Sequence, residues 1–205
     1  MIAIVDYGVG NLFSLRCSLE KIGTEVTVTG AGEVLRRADK LILPGVGAFA
    51  DAAQKLRDTG LDDVIKEEAA SGKPILGICL GMQLLFTRSF EFGEHEGLGL
   101  IPGDVADMTP LIGPGLKVPH IGWNVLDVKK PVHPLLADVR EGDCVYFVHS
   151  FCATRCEESV IATAEYGAPL TAAVAQGNVL GCQFHPEKSG EVGLRILRAF
   201  CQLGR

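Results

Sequence analysis

Pro74-Ile-Leu-Gly-Ile-Cys-Leu-Gly-Met-Gln-Leu-Leu-Phe86 is an uncharged run of residues 74–86. Pro74 to Ile78 has the length and apolar character of a buried strand, and Met82 to Phe86 reads as the opening of a helix. Between them lies Gly77-Ile78-Cys79-Leu80-Gly81, the strand–turn–helix context that a G-x-nucleophile-x-G elbow requires. Flanking glycines let the chain turn sharply and expose Cys79 at the strand's carboxyl end. The helix start beneath it favours a thiolate and offers backbone N–H groups to an oxyanion. The plainer reading is a buried cysteine in a tight glycine turn.

Upstream, the chain alternates strand and helix. Ile2 to Val5 is followed by the turn residues Tyr7 to Gly10, and Asn11 is placed to cap a helix carrying Leu12, Leu15, Leu19 and Ile22 on one face. Val26 to Val28 and Leu41 to Leu43 are further strands, with a short helix or turn from Val34 to Ala38. Ala48 to Arg57 and Leu61 to Ala70 have helical spacing. Strands without polar alternation, separated by helices, imply a parallel sheet covered on both faces. Downstream, strand candidates follow one another: Asp104 to Met108, Asn124 to Val128, Cys144 to Val148, Val160 to Glu165, Thr171 to Ala175 and Val179 to Phe184. Short turns between several of them suggest antiparallel hairpins. A helix from Glu191 to Leu203 ends the chain. The expected class is α/β, a mostly parallel sheet flanked by helices with an antiparallel extension in the second half, in a single domain over 1–205.

Composition narrows the function. The 205 residues carry 19 Lys+Arg against 25 Asp+Glu, a net charge of −6, with 47% hydrophobic residues. That is ordinary for a globular chain, and the acidic excess argues against a nucleic-acid partner. No stretch reaches the ~18 apolar residues of a membrane span, and Asp6 interrupts the amino terminus too early for a signal peptide. A cytoplasmic location with reduced cysteines is expected, and no membrane association. The seven cysteines form no C-x-x-C pair, and no H-x-x-x-H exists, so neither a metal nor a cofactor is expected.

A cysteine nucleophile needs a base and a group to orient that base. His185, at a predicted strand end in Gln183-Phe-His-Pro-Glu-Lys-Ser189, stands two residues before Glu187, and Pro186 stiffens the link. Glu187 could then orient the imidazole. Alternatively Glu187 sits in the field of a helix start that Ser189 caps. Pro44-Gly45-Val46-Gly47 ends another strand, and its glycines allow backbone N–H groups to face a pocket, although a plain turn would look the same. All three pieces come from the ends of different parallel strands, where open α/β sheets collect ligands.

Seven strings in order carry a resemblance over essentially the whole chain: D-Y-G-V-G-N-L (6–12), P-G-V-G-A-F (44–49), G-I-C-L-G-M-Q-L-L-F (77–86), E-G-L-G-L-I-P-G (96–103), K-V-P-H-I-G-W-N (117–124), Y-F-V-H-S-F (146–151) and F-H-P-E-K-S (184–189). The sequence resembles class I, triad-type glutamine amidotransferases, which have a flavodoxin-like sheet. Among them it is similar to the glutaminase subunits of imidazole glycerol phosphate synthases. The resemblance implies a triad of Cys79, His185 and Glu187. It implies an oxyanion hole from Leu80 N–H and the Gly45, Val46 and Gly47 backbone, and glutamine contacts from Gln83 and the backbone at Ser150 and Phe151. Position 151 is more often Tyr in that family, so only a backbone contact carries over.

The implied partner is a (β/α)8-barrel cyclase that uses the released ammonia in histidine biosynthesis. Asn11, Trp123 and Lys188 would lie toward it, the alternatives being a half-buried core aromatic for Trp123 and a solvated charge for Lys188. His120 and His149 are assigned supporting or packing roles. Val46, β-branched between two glycines, is a candidate backbone switch, which implies little glutaminase activity without the partner. The rivals are a glutaminase of another synthase, such as that of pyridoxal phosphate synthesis, and a non-catalytic module on the same fold.

Overall fold

The four strands read in the first half are strands in the computed structural model, which describes residues 1–204. They are β1 (Ile2–Val5), β2 (Val26–Thr29), β3 (Lys40–Leu43) and β4 (Ile75–Ile78), parallel to one another in the order β2-β1-β3-β4. The helices α1 (Leu12–Lys21), α2 (Gly32–Arg37), α3 (Phe49–Asp58) and α4 (Leu61–Ala70) connect them. Successive side chains of β1, β3 and β4 feed two different apolar layers. Ala3, Val5, Leu41, Leu43 and Ile75 pack with Phe49, Leu56 and Ile65. Ile2, Ile4, Ile42, Leu76 and Ile78 pack with Leu15, Leu19 and Phe200. Because both faces are covered, these strands contain almost no polar residue, which is why they read as plain apolar runs.

The second half holds α5 (Leu80–Leu84), β5 (Phe86–Ser89), β6 (His95–Glu96), β7 (Ile101–Asp107), α6 (Thr109–Ile112), β8 (His120–Val125), β9 (Asp127–Val128), β10 (Cys144–His149), β11 (Phe151–Thr154), β12 (Val160–Glu165), β13 (Pro169–Gln176), β14 (Val179–Cys182) and α7 (Gly190–Gln202). The main sheet runs β2-β1-β3-β4-β14-β13-β12-β9. β14 is its pivot: parallel to β4 on one side and antiparallel to β13 on the other. The remaining strands form the pair β10-β8 and the sheet β11-β7-β5-β6.

Several boundaries differ from expectation. The helix read over Met82 to Phe86 starts at Leu80, closes at Leu84, and gives way to a strand at Phe86. The Leu85 carbonyl accepts from Leu100 and Ile101 N–H, and that of Phe86 from Gly99, so a strand-like partner takes groups a helix would have used. Asn11 precedes α1 without a side-chain cap; its backbone (φ −88°, ψ 65°) lies outside the extended geometry a capping residue adopts. The single strand read over Asn124 to Val128 is divided: its first residues end β8, which pairs with β10, and Asp127–Val128 is β9, which pairs with β12.

Candidate active site

β4 delivers Cys79 into a conformation (φ 54°, ψ −113°) that a side chain adopts only under constraint. The flanking glycines explain how the constraint is met. A Cβ on Gly81 would lie 1.9 Å from the Leu43 carbonyl oxygen, and one on Gly77 would lie 2.7 Å from Met82 Cα. α5 therefore begins in direct contact with the backbone of β3 and β4. The helix has only five residues, so what it offers at Cys79 is its first-turn N–H groups more than a long dipole.

Gly45 packs on the same turn: a Cβ there would come 2.6 Å from Gly81 N. The Pro44–Gly47 loop is anchored from the other side by Tyr7, whose buried hydroxyl donates to the Pro44 carbonyl at 2.8 Å. Burial first, and then the neighbouring Cys79, push the Tyr7 phenol above its ordinary range, so it stays a donor.

His185 arrives from the adjacent strand. β14 and β4 are in register at Cys182 and Ile78, and Cys79 N–H donates to the Cys182 carbonyl at 2.8 Å. Three residues beyond, His185 Nδ1 lies 2.8 Å from Glu187 Oε1, with both side chains almost fully buried (2% and 3% exposed). A carboxylate accepts, so Nδ1 carries the hydrogen. Nε2 is buried without a hydrogen-bond partner. Burial opposes charge on the ring, but the adjacent Cys79 and Glu187 outweigh it and hold His185 up to about 9. Ser189 stands at the N-cap position of α7, but its side chain does not cap the helix: the hydroxyl donates to the His185 carbonyl at 2.6 Å and accepts from Tyr146 N–H at 3.0 Å, fixing the His185 backbone. Glu187 lies in a 3-10 turn, bonded to His185, and not in the first turn of α7.

These groups border a cleft of about 480 Å³ lined by Val46, Gly47, Cys79, Leu80, Gln83, Glu91, Phe92, Pro119, Val148, His149, Ser150, Phe151 and His185. Gln83 Nε2 donates to the Phe151 carbonyl at 3.1 Å and to Gln183 Oε1 at 3.0 Å. Both amide hydrogens are thus engaged, and Oε1 is the atom left to accept.

Asn11, Trp123 and Lys188 do not line the cleft. Trp123 is 57% exposed and packs edge-on against Tyr146, whose ring also lies 5.8 Å from Lys188 Nζ. Gly10, beside Asn11, contacts Pro44: a Cβ there would sit 3.0 Å from the proline's.

Two side chains were missed by sequence reasoning. Gln183 is fully buried and directs Nε2 to Cys79 Sγ at 3.7 Å; its position two before His185, in the segment that continues β14, was the available signal. Glu91 puts a carboxylate in the cleft and accepts from Phe49 N–H at 2.7 Å. A lone acid in Phe90-Glu91-Phe92 hinted at it. Among the described residues, no three His, Cys, Asp or Glu gather closely enough to hold a metal ion.

The arrangement matches known proteins along its length. The profile of the family Glutamine amidotransferase class-I covers residues 3–202. The Imidazole glycerol phosphate synthase subunit HisH of Sulfurimonas denitrificans is 53% identical over 203 residues, covering 98% of this chain and 97% of its own. That of Oceanobacillus iheyensis is 48% identical over 206 residues and the whole of both chains. A solved glutamine amidotransferase shares the fold at 22% identity, with a TM-score of 0.75 over 97% of this chain and 96% of its own. With these likenesses spanning the strained cysteine turn and the buried histidine–glutamate pair alike, the chain belongs to the class I glutamine amidotransferases, in the group of imidazole glycerol phosphate synthase HisH subunits.

Proposed function

We propose that this chain, acting as one domain, is the glutaminase subunit of an imidazole glycerol phosphate synthase. The observation that carries the reading is the 2.8 Å His185–Glu187 pair, its Nε2 unpaired, beside a strained cysteine at the rim of an open cleft. Glutamine enters with its carboxamide at Cys79. His185 Nε2 holds the proton given up by the thiol as Sγ bonds to the amide carbon, and the Leu80 N–H and the Gly45–Gly47 backbone receive the oxyanion. The C–N bond breaks as His185 returns the proton to the departing nitrogen, releasing ammonia and a glutamyl thioester. Water, deprotonated by the same imidazole, then cleaves the thioester to glutamate and regenerates the thiol. Gln83 Oε1, the Ser150–Phe151 backbone and the Glu91 carboxylate suit the ammonium and carboxylate of the substrate's amino-acid end.

The ammonia passes to a (β/α)8-barrel cyclase docked over Asn11, Trp123 and Lys188. Exposed Phe13 (79%), Ile121 (58%) and Val125 (44%) would extend that surface. The Pro44–Gly47 loop, tied to the Tyr7–Asn11 turn, is suited to carry a docking signal to the oxyanion site, so the chain alone turns over slowly. The test is reconstitution with a purified cyclase. Cys79→Ala should abolish glutamine-dependent synthesis and spare synthesis fed by ammonium. Loss of both activities would give Cys79 a structural role, and full turnover by the isolated chain would refute activation by the partner.

A further inference from the structure

Two buried histidines take no part in the chemistry above: His149, which lines the cleft, and His120, which contacts His149 from outside the lining. His149 Nδ1 is 2.9 Å from the Phe151 carbonyl, His120 Nδ1 is 3.1 Å from His149 Nε2, and Asn124 Nδ2 is 3.4 Å from His120 Nε2. The proton positions follow from the ends of this chain. A carbonyl only accepts, so His149 carries hydrogen on Nδ1 and leaves Nε2 as an acceptor. His120 must then carry hydrogen on Nδ1 and accept at Nε2. Asn124 cannot reverse its amide without loss, because Oδ1 accepts from Val125 N–H at 2.8 Å and Nδ2 donates to the Glu165 carbonyl at 2.8 Å. Protonating the ring nitrogen between the two histidines would set N–H against N–H.

The surroundings lock that state in. His120 is stacked between Phe147 (4.8 Å, 21°) and Tyr166 (4.1 Å, 22°). The ionisable groups facing the pair are Tyr166 and His185, and among the described residues no carboxylate hydrogen-bonds either ring. Burial pushes His149 down to about 4 and His120 below its ordinary range, so both are neutral at neutral pH.

The Phe151 carbonyl at the far end is shared with Gln83. The near end is β8, where residues alternate: His120 and Asn124 feed the relay, while Ile121, Trp123 and Val125 are exposed on the other side. We propose that His120 and His149 are positioning residues whose single-tautomer relay ties the exposed strand β8 to the Phe151 peptide that receives glutamine. The inference rests on the glutaminase reading of the cleft.

The test uses the chain reconstituted with a cyclase. His149→Leu removes the donor to Phe151 and should raise the KM for glutamine about tenfold, the order expected for one lost hydrogen bond at a substrate-holding group. kcat should change less, and ammonium-fed synthesis should stay at the wild-type level. His149→Asn retains an N–H near the Nδ1 position and should recover most of the loss. In parallel, ¹⁵N NMR of the wild-type complex should show Nδ1–H, Nε2-unprotonated rings for both histidines from pH 6 to 8. An Nε2–H tautomer in either ring overturns the relay. So does an unchanged KM in folded His149→Leu, or a loss in His149→Asn equal to that in His149→Leu. A wild-type complex that works with ammonium and not with glutamine would instead refute the glutaminase reading itself.

Discussion

Acid stability offers a quantitative check on the buried relay. His149 has a folded-state value of about 4 against an ordinary 6.5, with burial as the main cause. Between those values the unfolded chain binds a proton that the folded chain refuses, so stability falls as pH drops through this window. At about 1.4 kcal/mol per unit, the full effect is roughly 3 kcal/mol, of which about 2 kcal/mol is lost by pH 5. Carboxylates also titrate in acid, but they do so equally in wild type and His149→Asn, so the difference between the two isolates the histidine. Urea unfolding of both proteins from pH 4.5 to 8 measures it. His149→Asn should be less stable at pH 7.5 by a constant cavity and hydrogen-bond cost, and this deficit should shrink by about 2 kcal/mol at pH 5. A deficit independent of pH would show that His149 titrates normally in the folded protein and would remove the reasoning behind a neutral relay.

Two further substitutions probe the cleft. Gly81→Ala should destabilise the chain by at least about 3 kcal/mol, because the added methyl would overlap the Leu43 carbonyl oxygen at 1.9 Å, against a backbone with no room to give; thermal unfolding of the variant tests this, and a wild-type midpoint would contradict it. Glu187→Gln keeps the buried shape and removes the charge that favours the imidazolium, so glutamine-dependent turnover should fall about a hundredfold less than with Cys79→Ala. Steady-state kinetics of the two variants decides, and equal losses would mean that Glu187 does more than orient His185.

Local chemistry made much of this protein legible from its residues alone. Short, largely apolar runs separated by helical spacing read as parallel strands, because a strand covered on both faces has little place for polar side chains. The G-I-C-L-G turn was equally plain, since two glycines around a potential nucleophile signal a bend that Cβ atoms would block. His185 and Glu187 could be paired on paper because Pro186 limits the link between them. What could not be read was anything set by the choice of a distant partner. Phe86 leaves its helix because its carbonyl is taken by Gly99, and the strand read over Asn124 to Val128 divides because its halves pair with β10 and β12. That the strand before His185 is one of the parallel strands was readable, but its adjacency to β4, which sets His185 beside Cys79, is shown only by the register between the two strands. Glu91, Gln183 and the His120–His149 chain depend on the same kind of long-range placement: a buried polar group declares its role only through the atoms that satisfy it, and these come from other strands.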